Sequence, residues 1–291
     1  MKVMLINIDS RIPNLALHKI ALYHQQAGDE VFWDIPLIRV DKVYVSCVFD
    51  WNKDKCKQWE EVAEIGGSGY DLVRVLPDKI EDIKPKINLG FTTRGCIRKC
   101  PFCIVPRKEG YIRATGDIYD IWDGKSKEVV LLDNNILALP EHFKKICSQI
   151  RESKIKVDFN QGLDHRLLTQ DIIDELKTLS HIEYRFAFDS PSYLPTVERA
   201  IKLLRENSIN RCMWYVLVGY NTTFEEDLFR LNFLREHKQN AYVQRYKFER
   251  QYIPLARWAN QPFMFHALTY NGFLEKCKKE IGGKYITEFT L

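Results

Sequence analysis

The sequence predicts an α/β protein in which a small parallel α/β layer precedes a partial barrel of six strand–helix steps. Three observations predict it. Short apolar runs of strand length alternate with amphipathic helical stretches along most of the chain. The alternation becomes regular from residue 87 onward. Turn residues punctuate the early steps, with Gly28 closing the first helical stretch and Gly66-Gly67-Ser68-Gly69 forming a turn.

Residues 2–8 (KVMLINI) read as a buried strand, and 13–26 as an amphipathic helix that stops at Gly28. Strands follow at 31–35 and 42–49, then a helical stretch at 55–62 and the glycine turn. This order predicts a small Rossmann-like domain over residues 1–75. Residues 76–86, charged and carrying Pro77 and Pro85, read as a connector. From 87 to 250, strands at 88–92, 127–132, 155–159, 182–188, 211–218 and 241–246 alternate with helices near 115–123, 140–152, 169–179, 192–206 and 223–237. That rhythm predicts a partial (βα)6 barrel with its function at the carboxyl ends of the strands. Thr223-Phe224-Glu225-Glu226 is a capping box that sets the start of the fifth of these helices. Residues 251–291, rich in aromatics (Trp258, Phe263, Phe265, Tyr270, Phe273), read as a helical tail closing one end.

Bulk composition excludes several classes. With 45% hydrophobic and 28% charged residues in 291, the chain is neither disordered nor of low complexity. No apolar stretch is long enough to span a bilayer, and the N-terminus lacks a secretory cleavage site, so a cytoplasmic protein is expected. The net charge of +4 permits an anionic substrate but falls short of the bias of a nucleic-acid module. Lysine clusters such as Lys53, Lys55 and Lys57, or Lys276, Lys278 and Lys279, read as solvated helix faces.

Eight cysteines without a secretory signal argue against a disulfide framework. Five are scattered: Cys47, Cys56, Cys147, Cys212 and Cys277. Cys47 and Cys212 sit in strand-like apolar runs and read as small buried hydrophobes. The other three lie together as Cys96-x3-Cys100-x2-Cys103, just after the first expected barrel strand. Thiolates are soft ligands for iron–sulfur clusters or zinc. Structural zinc and ferredoxin clusters want four ligands, and no fourth Cys or His stands nearby. Three ligands on a cubane leave one iron open to a substrate or cofactor. Arg94, Arg98, Lys99, Arg107 and Lys108 are placed to offset the negative charge of cluster and thiolates.

The C-x3-C-x2-C spacing, with the aromatic Phe102 before the last cysteine at the first strand of a βα barrel, closely resembles the radical S-adenosylmethionine (radical SAM) superfamily. The resemblance covers roughly residues 87–250. It implies a [4Fe–4S] cluster on Cys96, Cys100 and Cys103, whose open iron chelates the methionine end of S-adenosylmethionine. It further implies reductive cleavage of the cofactor to methionine and a 5′-deoxyadenosyl radical that abstracts hydrogen from a substrate.

The same resemblance implies a cofactor shell at the strand ends. Asp133, Asn134 and Asn135 follow the second strand, where the family often places a Gly-Gly-Glu stretch for the methionyl amine. The glycines are absent, and an Asn-rich turn is the alternative. Asn160, Gln161, Asp164 and Arg166 end the third strand, Arg166 being suited to hold a carboxylate of cofactor or substrate. His165 reads as a surface or packing residue. Asp189 and Ser190 suit the ribose hydroxyls, or else Ser190 simply caps the next helix ahead of Pro191. Leu217 and Gly219 match the family's adenine-packing strand, though the acidic residue expected beyond them is Thr223 here, and a core strand is the alternative for Leu217.

The N-terminal piece resembles the cobalamin-binding or methylthiotransferase-type domains that precede some radical enzymes. The loop after its first strand, Asp9 to Asn14, carries no axial histidine, so no cobalamin is expected. Cys47 and Cys56 are too few for a second cluster of the methylthiotransferase kind. The resemblance implies an electron donor such as flavodoxin or ferredoxin, and the substrate class stays open between an RNA base, a peptide and a small metabolite. Two alternatives come from other classes: an iron–sulfur electron carrier or sensor without turnover, and a zinc-bearing nucleic-acid-binding module.

Overall fold

The computed structural model describes residues 1–34 and 39–280, and the chain is an α/β protein divided into two compact units between Leu132 and Asp133. The last residue of the expected 31–35 strand and the end of the tail, 281–291, lie outside the described residues.

The first unit opens with β1 (Lys2–Asn7), α1 (Leu15–Gln26), β2 (Glu30–Trp33), β3 (Lys42–Ser46) and β4 (Glu64–Gly66). Its strands pair in parallel in the order β2-β1-β3-β4. Side chains of β1 alternate between faces, as a strand's period of two requires. Val3 and Leu5 pack with Leu17, Ile20, Ala21 and Tyr44. Met4 and Ile6 pack with Val43, Val45, Cys47, Cys56 and Ile65. Burial on both faces is what a parallel sheet demands, and it explains the unbroken apolar run of β1. Helix α1 begins two residues later than the periodicity predicts, because Asn14 caps it by accepting from Leu17 N at 3.2 Å. The expected 42–49 strand stops at Ser46, and 50–59 is a 3-10 helix.

The glycine turn has a steric cause. An added Cβ at Gly67, where φ is +98°, would lie 2.2 Å from the Cys47 carbonyl oxygen, and one at Gly69 2.3 Å from the Phe49 carbonyl carbon. Gly67→Ala is therefore expected to cost about 1–3 kcal/mol through left-handed strain, with the backbone clash adding to it. Gly28→Ala has the same handedness, with φ +80°, but open space around it, and should cost less. Denaturant titration of the two variants checks the difference.

The first unit continues with α2 (Asp78–Glu81), β5 (Leu89–Gly90), β6 (Thr93–Arg94), α3 (Val105–Lys108), β7 (Arg113–Ala114), α4 (Ile118–Ile121) and β8 (Glu128–Leu131). Strands β5 and β8 are parallel, while β6 and β7 form a two-residue antiparallel pair.

The second unit holds α5 (Pro140–Ser153), β9 (Lys156–Phe159), α6 (Gln170–Lys177), β10 (Arg185–Ala187), α7 (Leu194–Glu206), β11 (Met213–Val218), α8 (Phe224–Glu236) and β12 (Asn240–Arg245). Then come α9 (Tyr252–Ala259), α10 (Pro262–Ala267) and α11 (Tyr270–Glu280). Strands β10, β11 and β12 pair in parallel in that order. Phe186, Trp214, Val216, Ala241 and Val243 are buried strand residues, matched by buried Val197, Ile201 and Leu204 on α7 and Leu231 and Leu234 on α8. Thr223 and Glu226 form the expected capping box at 3.2 and 2.8 Å. The outer strand β12 is blunted by Asn260, whose amide accepts from Val243 N at 2.6 Å and donates to Val243 O. Trp258, Phe265, Tyr270 and Phe273 of the aromatic C-terminal stretch are buried, whereas Phe263 is exposed. Among the described residues no helix is long and apolar enough to cross a membrane.

Candidate functional site

The three clustered cysteines lie on the loop between β6 and β7, so the antiparallel pair Thr93↔Ala114 and Arg94↔Arg113 closes the loop at its base. Gly95 has φ +84°, and a Cβ there would meet the Tyr111 carbonyl oxygen at 2.4 Å, so only glycine lets the loop turn this tightly. Glu109 pins the entrance. Its carboxylate accepts from Gly95 N at 2.9 Å and pairs with Arg94 at 3.2 Å, while Arg94 lies 4.2 Å over the Phe91 ring. Cys96 N donates to Gly110 O and Cys103 N to Cys100 O.

Cys96, Cys100 and Cys103 form no disulfide and are half-buried, as is Phe102. Arg98 N donates to Cys96 Sγ at 3.3 Å. Burial raises the Cys103 thiol, the Val105 amide lowers it, and Cys100 and Cys96 are close enough to raise it by their charge. Among the described residues, no three His, Cys, Asp or Glu side chains stand gathered as a metal site. The donor set nevertheless fits a soft metal centre: three thiols on one pinned loop, two of them already receiving main-chain amides. Of the five cations expected around the cluster, Arg94 is engaged by Glu109, and Lys108 donates to Ser68 Oγ at 2.7 Å in the glycine turn. Lys99 and Arg107 are exposed.

Cys277 is half-buried like these, but the other four thiols are not. Cys47, Cys56, Cys147 and Cys212 are fully buried. Desolvation pushes Cys47, Cys147 and Cys212 up to about 12. The Cys47 thiol donates toward Asp9, whose carboxylate also receives Val48 N, Phe49 N and Asn52 Nδ2. His18 packs against Trp33, the rings tilted with centroids 4.8 Å apart.

In the second unit three of the strand-end residues, Asn135, Asp164 and Arg166, form a connected polar chain. Asp133 and Asn135 are buried and Asn134 half-buried. Asn135 Nδ2 donates to Asp164 at 3.2 Å. Arg166 grips the same carboxylate in a fork, Nε to Oδ1 at 2.7 Å and Nη2 to Oδ2 at 3.2 Å, and lies 4.9 Å over the Tyr193 ring. His165 is buried beside Trp214 and bonds Thr196 at 3.1 Å, so it packs. Asp189 accepts from Leu217 N at 3.1 Å. Burial raises the Asp189 carboxyl, which its bond to the Leu217 amide and the charges of Arg230 and Arg166 oppose.

Other expected residues stand apart or have structural duties. Gln161 is exposed and reaches only Asn160, at 3.4 Å. Ser190 caps the turn after it by accepting from Ser192 N at 3.3 Å. Leu217 is buried, and Gly219, with φ +74°, leaves room for the Tyr252 ring, which an added Cβ would approach to 2.9 Å. Two features escaped the sequence reading. Glu109 carries no motif, and its role appears only when the loop closes on it. Asp227 and Arg230, three apart on a helix, carry no motif and are both fully buried as an ion pair.

Fold and site together define an α/β protein with parallel sheets and a pinned three-thiol loop. No family model matches the chain. It is similar to a CDK5RAP1-like protein of Oryza sativa subsp. japonica, 28% identical over 194 residues. That match covers 56% of this chain, and the chain spans only 30% of the relative's length.

Proposed function

We propose that this chain is a radical S-adenosylmethionine enzyme, with its strand–helix steps from residue 87 onward forming a partial barrel. The observation that carries the reading is the loop of Cys96, Cys100 and Cys103, pinned by Glu109 and Gly95 and supplying three thiols without a fourth. The distant CDK5RAP1-like relative supports the same direction. The three cysteines would hold a [4Fe–4S] cluster. When bound, cluster and cofactor supply one-electron cleavage of a sulfonium carbon–sulfur bond and hence radical hydrogen abstraction. Phe102 would shield the loop from solvent. Asp133, Asn134 and Asn135 would accept from the methionyl amine, and Arg166, oriented by Asp164, would face a carboxylate. Asp189 would accept from the ribose, with Leu217 and Gly219 beside the adenine. The substrate is left open, and a flavodoxin or ferredoxin would supply the electron.

Anaerobically reconstituted protein given dithionite and S-adenosylmethionine should form methionine and 5′-deoxyadenosine slowly, even without substrate. Arg166→Ala and Asp133→Ala should weaken cofactor binding tens- to a hundred-fold while iron content holds, since each removes one side of a desolvated polar contact worth about 2–3 kcal/mol. A parent protein that holds its cluster and binds the cofactor, yet makes no 5′-deoxyadenosine, would hand the case to an electron carrier or sensor.

A further inference from the structure

The ladder between β10 and β11 ends early. Register pairing stops at Ala187↔Tyr215, with one more bond from Phe188 N to Tyr215 O at 2.8 Å. Beyond that point the main-chain groups of the two strand ends are met by side chains. Asp189 takes Leu217 N. Arg230, reaching in from α8, donates to Phe188 O with one nitrogen and to Leu217 O at 2.8 Å with another. Its partner Asp227 takes Gly219 N at 3.0 Å. Tyr252 completes the set: burial and a hydrogen bond to Asp227 raise its phenol, and its ring occupies the space that Gly219 leaves.

Both members of the Arg230–Asp227 pair are fully buried, which carries a large desolvation cost for each ion. An apolar pair of similar size would fill the same volume without that cost. The guanidinium, however, is the one side chain that bridges two carbonyls in a fixed fork. We propose that Arg230 and Asp227, with Tyr252, are positioning residues that hold the ends of β10 and β11 apart and aim Asp189 and Gly219 at the adenosine half of the cofactor. This rests on the proposed function, because it assigns a duty to strand ends that reading gives to ribose and adenine.

The test separates the two halves of the cofactor. Protein carrying its reconstituted cluster is titrated with S-adenosylhomocysteine, followed by calorimetry, and with methionine alone, followed by the cluster's EPR signal. Arg230→Lys keeps the charge opposite Asp227 but loses the fork. It should weaken S-adenosylhomocysteine at least tenfold and leave methionine binding and iron content unchanged. Tyr252→Phe removes only the hydroxyl on Asp227 and should weaken S-adenosylhomocysteine about threefold, deciding the matter if the lysine variant does not fold. Equal weakening of both ligands, or no change in either variant, overturns the inference and leaves the pair as a fold element. A parent protein that binds neither ligand overturns the proposed function, and this inference with it.

Discussion

Replacing any one of Cys96, Cys100 or Cys103 with alanine is expected to abolish iron loading, whereas Cys47→Ala, Cys56→Ala and Cys277→Ala should leave it intact. The parent, reconstituted with iron and sulfide, should hold about four irons per chain. The expected contrast comes first from spacing and exposure, since burial raises the Cys103 thiol as well. A metal ligand must be a thiolate. The three loop cysteines are half-buried on one closed loop, and main-chain amides point at Cys96 and Cys103. Cys47 and Cys56 are sealed in the core of the first sheet, where desolvation raises both thiols and favours the protonated form. Iron counted by colorimetry, with the visible absorption of each variant, checks the prediction. Equal iron loss on changing Cys47 or Cys56 would point to a second cluster in the first unit.

Asp227→Ala is expected to destabilise the second unit by about 3–5 kcal/mol, because it strands the Arg230 guanidinium in the core without its carboxylate. It also strands the Gly219 amide that the carboxylate accepts from. At roughly 2–4 °C per kcal/mol for a unit of this size, the midpoint should fall by about 6–20 °C. The double change Asp227→Ala with Arg230→Ala should cost less than the sum of Asp227→Ala and Arg230→Ala made singly, since it removes both charges together. Thermal or urea unfolding of the three variants provides the cycle. A double variant as damaged as that sum would show that the two residues act independently, against the geometry.

Local pattern made most of the fold class legible in the sequence. The strand-length apolar run in KVMLINI, the helical stretches between strands and the Thr223–Glu226 capping box all act within a few residues, so they can be read without a tertiary partner. The placing of the three cysteines on one short loop is likewise a covalent fact, because eight residues bound how far apart they can lie.

Only the tertiary structure decided what holds these groups and what they hold. Glu109 reaches Gly95 and Arg94 because an antiparallel pair folds residue 109 back onto residue 95, a contact that no short-range period encodes. Arg166 looked like a carboxylate receptor. Folding sets it in a fork on Asp164, so its fixed direction, more than its bare charge, is what a ligand would meet. Ser190 was open between ribose and cap, and the bond from Ser192 N makes it a cap. Asp227 and Arg230 acquire their role only when α8 brings them to the ends of β10 and β11. Main-chain groups that have left the β10–β11 ladder then find their partners in this buried pair, contacts that no local sequence pattern encodes.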